Sequence, residues 1–135
     1  MAVFRWTERY AVQVTDFDRQ HRNLFRMVNE LHQALGAGKG KAVVGNILQR
    51  LIEYTATHFA AEESVMEKNG FPGLQSHKAE HQAMAEQVLK FQKDFKCGKL
   101  GVATDLMLFL QKLLHDHLLE TDKKYGSFLN EKGIH

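Results

Sequence analysis

The chain holds a single cysteine, Cys97, and a single proline, Pro72, in 135 residues. A lone cysteine forms no intrachain disulfide, which fits a reducing cytoplasm and leaves the fold to be held by its core. At this length one domain can bury such a core unaided. With one proline, long helices meet almost no internal break. Neither charge sign dominates: 18 Lys and Arg face 16 Asp and Glu, for a formal net charge of +2. The basic residues are scattered, so nucleic-acid binding is not expected. No apolar run reaches the roughly 20 residues of a membrane span, so membrane insertion is not expected. The opening Met1-Ala2-Val3-Phe4-Arg5-Trp6 lacks the basic start and apolar stretch of a secretory signal. A cytoplasmic location is therefore the expectation.

Apolar residues make up 44% of the chain, and four stretches of them follow a helical period. Residues 1–15 read as an arm, with alternation at Val12 and Val14. Asp16 or Asp18 is placed to cap a helix entering at Arg19, giving a first helix over about 18–36 with Leu24, Phe25, Val28, Leu31 and Leu35 as its stripe. The glycine-rich 36–40 turn leads to a second helix over about 41–68, in which Gly45 costs about 1 kcal/mol against Ala. Asn69-Gly70-Phe71-Pro72-Gly73 stops it. Third and fourth helices follow over about 73–96 and 102–130, separated by Cys97-Gly98-Lys99-Leu100-Gly101. Four long helices with short connections predict one all-α domain over 1–135, an antiparallel up-down-up-down four-helix bundle with an N-terminal arm.

Eight residues are histidine, a type not among the common ones. Residues four apart share a helix face. This spacing pairs His58 with Glu62 on the second helix and His77 with His81 on the third. His117 and Asp122 on the fourth are five apart, about 140° round an α-helix, so both point inward only if the aspartate reaches around. The first helix offers His21. In an antiparallel bundle the starts of helices one and three share an end with the finishes of helices two and four. All seven residues sit at that end. Carboxylates buried among imidazoles need a partner, and a metal supplies one. Seven ligands without a thiolate exceed one tetrahedral zinc; imidazole with bridging carboxylate suits a dinuclear iron site. Glu63, five from His58, reads as a supporting or surface group, and Glu80 as facing solvent. His115 lies about 200° from His117 and reads as exposed. His32, about 16 Å along the axis from His21, reads as structural.

The combination Asp18-x-Gln20-His21, His58-Phe59-x-x-Glu62-Glu63, His77-x-x-x-His81 and His117-x-x-x-x-Asp122, with Trp6 and Val12-x-Val14, resembles the hemerythrin family over nearly the whole chain, and specifically its single-domain bacterial members. The resemblance implies two non-haem irons with a bridging oxo or hydroxo group. His77, His81 and His117 would hold the six-coordinate iron, His21 and His58 the five-coordinate one, and Glu62 and Asp122 would bridge. Dioxygen would take the open position. Leu114 and Leu118 match residues lining the family's oxygen pocket. Leu113 stands where the family often has a tryptophan, a change expected to widen the route to the site.

The expected function is reversible dioxygen binding by a diiron protein that is not an enzyme, as a carrier, store or scavenger. Ferritin-like diiron enzymes use mostly carboxylates with two histidines; five neutral imidazoles donate less charge and suit release over further oxidation. An oxygen or redox sensor module and a diiron enzyme acting on peroxide or nitric oxide stand as alternatives. An oxygen-consuming enzyme is the class of protein partner, its identity open.

Overall fold

The computed structural model describes residues 4–135; Met1, Ala2 and Val3 of the expected arm lie outside the described residues. All regular structure among the described residues is helical. A 3-10 turn at Glu8–Tyr10 precedes α1 (Thr15–Gly36), α2 (Gly40–Lys68), α3 (Leu74–Lys96) and α4 (Val102–Lys112). The last of these continues through a π-helical stretch, Leu113–Thr121, into α5 (Asp122–Glu131), so the three together form the fourth rod of an antiparallel bundle. The first rod packs on the second and fourth, and the second on the third.

The main core joins the inner stripes of all four rods. Leu24, Val28 and Leu31 meet Val44, Ile47, Leu48 and Leu51, with Val88 and Phe91 of α3 and Leu106 and Leu110 of α4. Each such side chain contributes about 1.5–3 kcal/mol by leaving water. A smaller apolar cluster of Val12, Val14, Phe17, Met66, Tyr125 and Leu129 closes the other end. Along the first two rods the polar residues fall between these clusters: His21 between Phe17 and Leu24, and Glu62 between Leu51 and Met66. Gly45 has a packing reason for its cost in α2. A Cβ there would come within 2.9 Å of the Phe95 ring.

Helix α1 starts earlier than its expected entry at Arg19. It begins at Thr15, behind Val14, without a side-chain cap. Asp18 is no cap; its carboxylate accepts the Val12 backbone N–H at 2.8 Å. The arm is thus drawn across the bundle end, because a buried backbone donor must find an acceptor. Two residues of α5 hold it from the other side: Lys123 Nζ donates to the Ala11 carbonyl at 2.6 Å, and Asn130 Nδ2 to the Gln13 carbonyl at 3.0 Å.

At Gly126 the arm lies directly on helix α5. An added Cβ would be 2.8 Å from the Val12 carbonyl oxygen and 2.9 Å from its Cβ. Backbone cannot yield as a flexible side chain does. Gly126→Ala is therefore expected to destabilise the fold by about 1–3 kcal/mol, the usual cost of overpacking, measured as a lower urea midpoint. An unchanged midpoint would show that the arm does not depend on this seat.

Candidate metal centre

The four rods bring His21, His58, Glu62, His77, His81, His117 and Asp122 together at one level, all buried. Two of the pairs follow from α-helical geometry: His58 with Glu62, and His77 with His81, each one turn apart. The third does not. His117 and Asp122 are joined by the π stretch, in which the Asp122 N–H bonds the His117 carbonyl five residues back. The wider turn carries residues five apart to the same face. Asp122 therefore does not reach around an α-helix, as the sequence suggested; the backbone turns to bring it inward.

Every histidine of the group presents Nε2. Glu62 Oε2 lies 3.2 Å from His21 Nε2 and 3.3 Å from His58 Nε2, while its Oε1 lies 3.2 Å from His81 Nε2. Asp122 Oδ1 lies 3.1 Å from His77 Nε2 and 3.0 Å from His117 Nε2, and its Oδ2 3.3 Å from His21 Nε2. Each carboxylate thus turns one oxygen to a group of three histidines (His77, His81, His117) and the other toward His21 and His58. The liganding atoms of Glu62, His77, His81, His117 and Asp122 lie within 4.8 Å of one another, as do those of His21, His58 and Glu62.

The atoms are close but most are not aligned as hydrogen bonds. His77, His81 and His117 Nε2, Glu62 Oε1 and both Asp122 oxygens have no hydrogen-bond partner among the described residues. Leaving so many buried polar atoms unsatisfied is expensive. Lone pairs converging on shared space fit cations that the donor set would hold, and the number and kind of donors suit two ions better than one.

The far nitrogens and faces of the rings are fixed as well. His58 Nδ1–H donates to Gln20 Oε1, and His81 Nδ1–H to Glu63 Oε2 at 2.7 Å. Such partners select the tautomer with a free Nε2 lone pair. Phe59 stacks on His81, ring centres 3.9 Å apart and 4° from parallel. Tyr125 donates its hydroxyl hydrogen bond to Glu62 Oε2. Glu63 thus supports His81, one of its two sequence readings. Glu80 is exposed, as its place on the helix suggests; it also accepts from Thr121 Oγ1 at 3.1 Å and lies 3.6 Å from His117 Nδ1. Gln20 and Tyr125 had no assigned role in the sequence reading. Tyr125 stands three residues after Asp122, about one turn on, which is a usable signal. His115 is exposed and pairs with Asp116 at 2.8 Å, and His32 packs edge-on against Phe4.

Beside this group lies a small cavity of about 10 Å³, lined by Leu24, Leu51, Tyr54, Phe59 and Leu113 among other apolar residues and touching His58 and His117. That is about the least space that holds one water-sized group. Leu113 and Leu118 line it; Leu114 is buried in the main core and does not.

Electrostatics follow from burying two carboxylates among imidazoles. Burial alone raises Glu62, but His58, His21 and His81 outweigh it and hold its carboxyl well below the usual range. Asp122 is likewise lowered: burial and Glu62 push it up, and His117 and His77 prevail. His58 is lowered, chiefly by burial. His21 is raised, the hydrogen bond to Glu62 and the charges of Asp122 and Glu62 overcoming burial. For His117 burial is overcome by Asp122, and its value rises from 6.5 to about 9. A histidine raised on folding stabilises fully below its unfolded value, and the gain is lost as pH climbs through the folded one. The metal-free chain is therefore expected to lose stability between about pH 6.5 and 9 as His117 gives up its proton. Urea midpoints of chelated protein across that range measure this; a rising midpoint would contradict it.

A family model for the hemerythrin HHE cation binding domain matches residues 12–129. The chain is 35% identical to a bacteriohemerythrin of Methylococcus capsulatus, covering 96% of this chain and 99% of that protein. It is 30% identical to one from Stenotrophomonas maltophilia, covering 93% and 81%. Its fold is similar to the crystal structure of a wild-type hemerythrin, with a TM-score of 0.84 and 35% identity over 93% of this chain and 97% of that one. Among the described residues no helix is long and apolar enough to cross a membrane. With both its helical frame and its buried His–carboxylate cluster in place, this chain belongs to the hemerythrin family, alongside the bacteriohemerythrins.

Proposed function

We propose that this chain is a non-haem diiron protein that binds dioxygen reversibly, as a carrier, store or scavenger in the cytoplasm rather than as an enzyme. The observation that carries the reading is the division of each carboxylate between two histidine groups. His77, His81 and His117, with Glu62 Oε1 and Asp122 Oδ1, make five donors on one side. His21 and His58, with Glu62 Oε2 and Asp122 Oδ2, make four on the other. With a shared oxo or hydroxo group this count supports one saturated ion and one with a free position, Glu62 and Asp122 bridging. A ferrous pair held there would supply the electrons that bind dioxygen reversibly.

The chain's own residues bias the site toward release. Five imidazoles bring no charge, and the negative charge comes from two carboxylates alone. The cavity beside His58 and His117 has room for about one water-sized group and is walled by Leu24, Leu51, Phe59, Leu113 and Leu118. Apolar walls limit the water that would strip a bound oxidised ligand. Gln20 holds the His58 ring and Glu63 the His81 ring through their Nδ1 atoms, and Phe59 stacks on His81 while walling the cavity.

Anaerobic ferrous protein exposed to oxygen should develop visible absorption bands that fade when oxygen is removed and return on re-exposure. Irreversible oxidation on first contact would overturn the oxygen-binding reading. Sustained turnover of peroxide or nitric oxide, lost in His77→Ala, would favour an enzyme instead.

A further inference from the structure

Two buried phenol hydroxyls approach the centre, and only one of them is used. Tyr125 donates to Glu62. The hydroxyl of Tyr54 is buried with no hydrogen-bond partner among the described residues. A buried hydroxyl left unpaired is destabilising, so this one calls for a partner. Its position suggests which. Tyr54 is one turn before His58 on the same face of α2, and its ring stacks on the His58 imidazole, centres 4.8 Å apart and 20° from parallel. The same side chain lines the small cavity together with His58, His117 and Leu113. The stack fixes the phenol beside the two-histidine half of the site, the half whose four donors leave a position free.

From this geometry we infer that Tyr54 is the hydrogen-bond donor to the outer end of a small ligand bound beside His58, and so a residue that sets which ligands the site retains. The inference rests on the diiron reading above and deepens it. A phenol donor favours ligands that carry negative charge or a lone pair at the end away from the metal, and does little for one that cannot accept. The leucines, phenylalanines, Met84 and Val88 that complete the lining offer no donor. Thr55 also lines the cavity, but its hydroxyl already donates to the Ile52 carbonyl at 3.1 Å.

The probe is azide, titrated into iron-loaded, fully oxidised wild type and Tyr54→Phe, with iron content, visible spectra and vibrational spectra in H2O and D2O recorded for both. Tyr54→Phe should load iron as the wild type does and melt no lower, since it removes an unpaired buried hydroxyl. It should bind azide about tenfold or more weakly, the usual worth of a hydrogen bond to a charged group. A deuterium-sensitive shift of the azide stretch should be present in the wild type and absent from the variant. Equal azide affinity with unchanged vibrational shifts would overturn the inference while leaving the diiron reading intact. A wild type that takes up no iron would overturn both.

Discussion

Replacing Glu62 with alanine is expected to strip tightly bound iron from both halves of the centre. Its two oxygens lie within 3.3 Å of the ligating nitrogens of His21, His58 and His81, and Asp122 faces as many, His21, His77 and His117. Losing a partner that only orients a metal ligand, as Glu63→Gln would at His81, typically weakens metal binding by roughly 10–100-fold. Glu62 itself supplies an oxygen to each half and half of the shared negative charge. Its loss should exceed that range, leaving less than one iron per chain after desalting. Asp122 alone would then balance both ions, and Tyr125 would lose its acceptor. The helices should survive, because Glu62 lies outside the main core. A variant that keeps two irons would show that Glu62 does not bridge.

The second large effect concerns stability. Removing iron should lower the melting temperature by roughly 10 °C or more. A ligand bound only by the native state stabilises it by about 4 kcal/mol when free ligand is a thousandfold above Kd. Each kcal/mol moves the melting temperature by roughly 2–8 °C for domains of about this size. The structure explains why the metal-free state suffers. It must keep Glu62 and Asp122 fully buried, with the Nε2 atoms of His77, His81 and His117 unpaired. Protonation of His21 and His117 compensates in part, since both are raised on folding. Scanning calorimetry of chelated and reconstituted protein measures the difference. Equal melting temperatures would mean that the cluster is satisfied without metal.

Much of the site was legible because α-helical spacing is simple physics. His58 with Glu62 and His77 with His81 announce a shared face by their interval of four. The antiparallel order of four rods then places His21 and His117 at the same end. The interval of five between His117 and Asp122 was visible too, but its meaning was not. Read on an α-helix it demands a strained reach; the backbone instead widens to a π-helix from Leu113 to Thr121. No residue type in that stretch marks such a change, which depends on packing against the other rods. The same holds for Asp18. Its place before an apolar stripe suggests a helix cap, and only the path of the arm reveals the Val12 N–H that it accepts. Glu80 faces solvent as its own helix suggests, but its hydrogen bond from Thr121 was not legible, since Thr121 is a neighbour only across the bundle. Leu113, Leu114 and Leu118 all belong to the main core, and of the three Leu113 and Leu118 line the small cavity. Tyr54 illustrates the remaining limit: an unpaired hydroxyl is a statement about what is missing in space, which no spacing in the chain encodes.

The central claim is that Glu62 and Asp122 join two metal ions held by five histidines. Ferrous iron titrated anaerobically into chelated protein, with unbound metal removed and bound iron counted per chain, addresses it most directly. Two irons per chain are expected in the wild type, with clear loss in Glu62→Ala. One iron per chain, or none, in correctly folded wild type would contradict it.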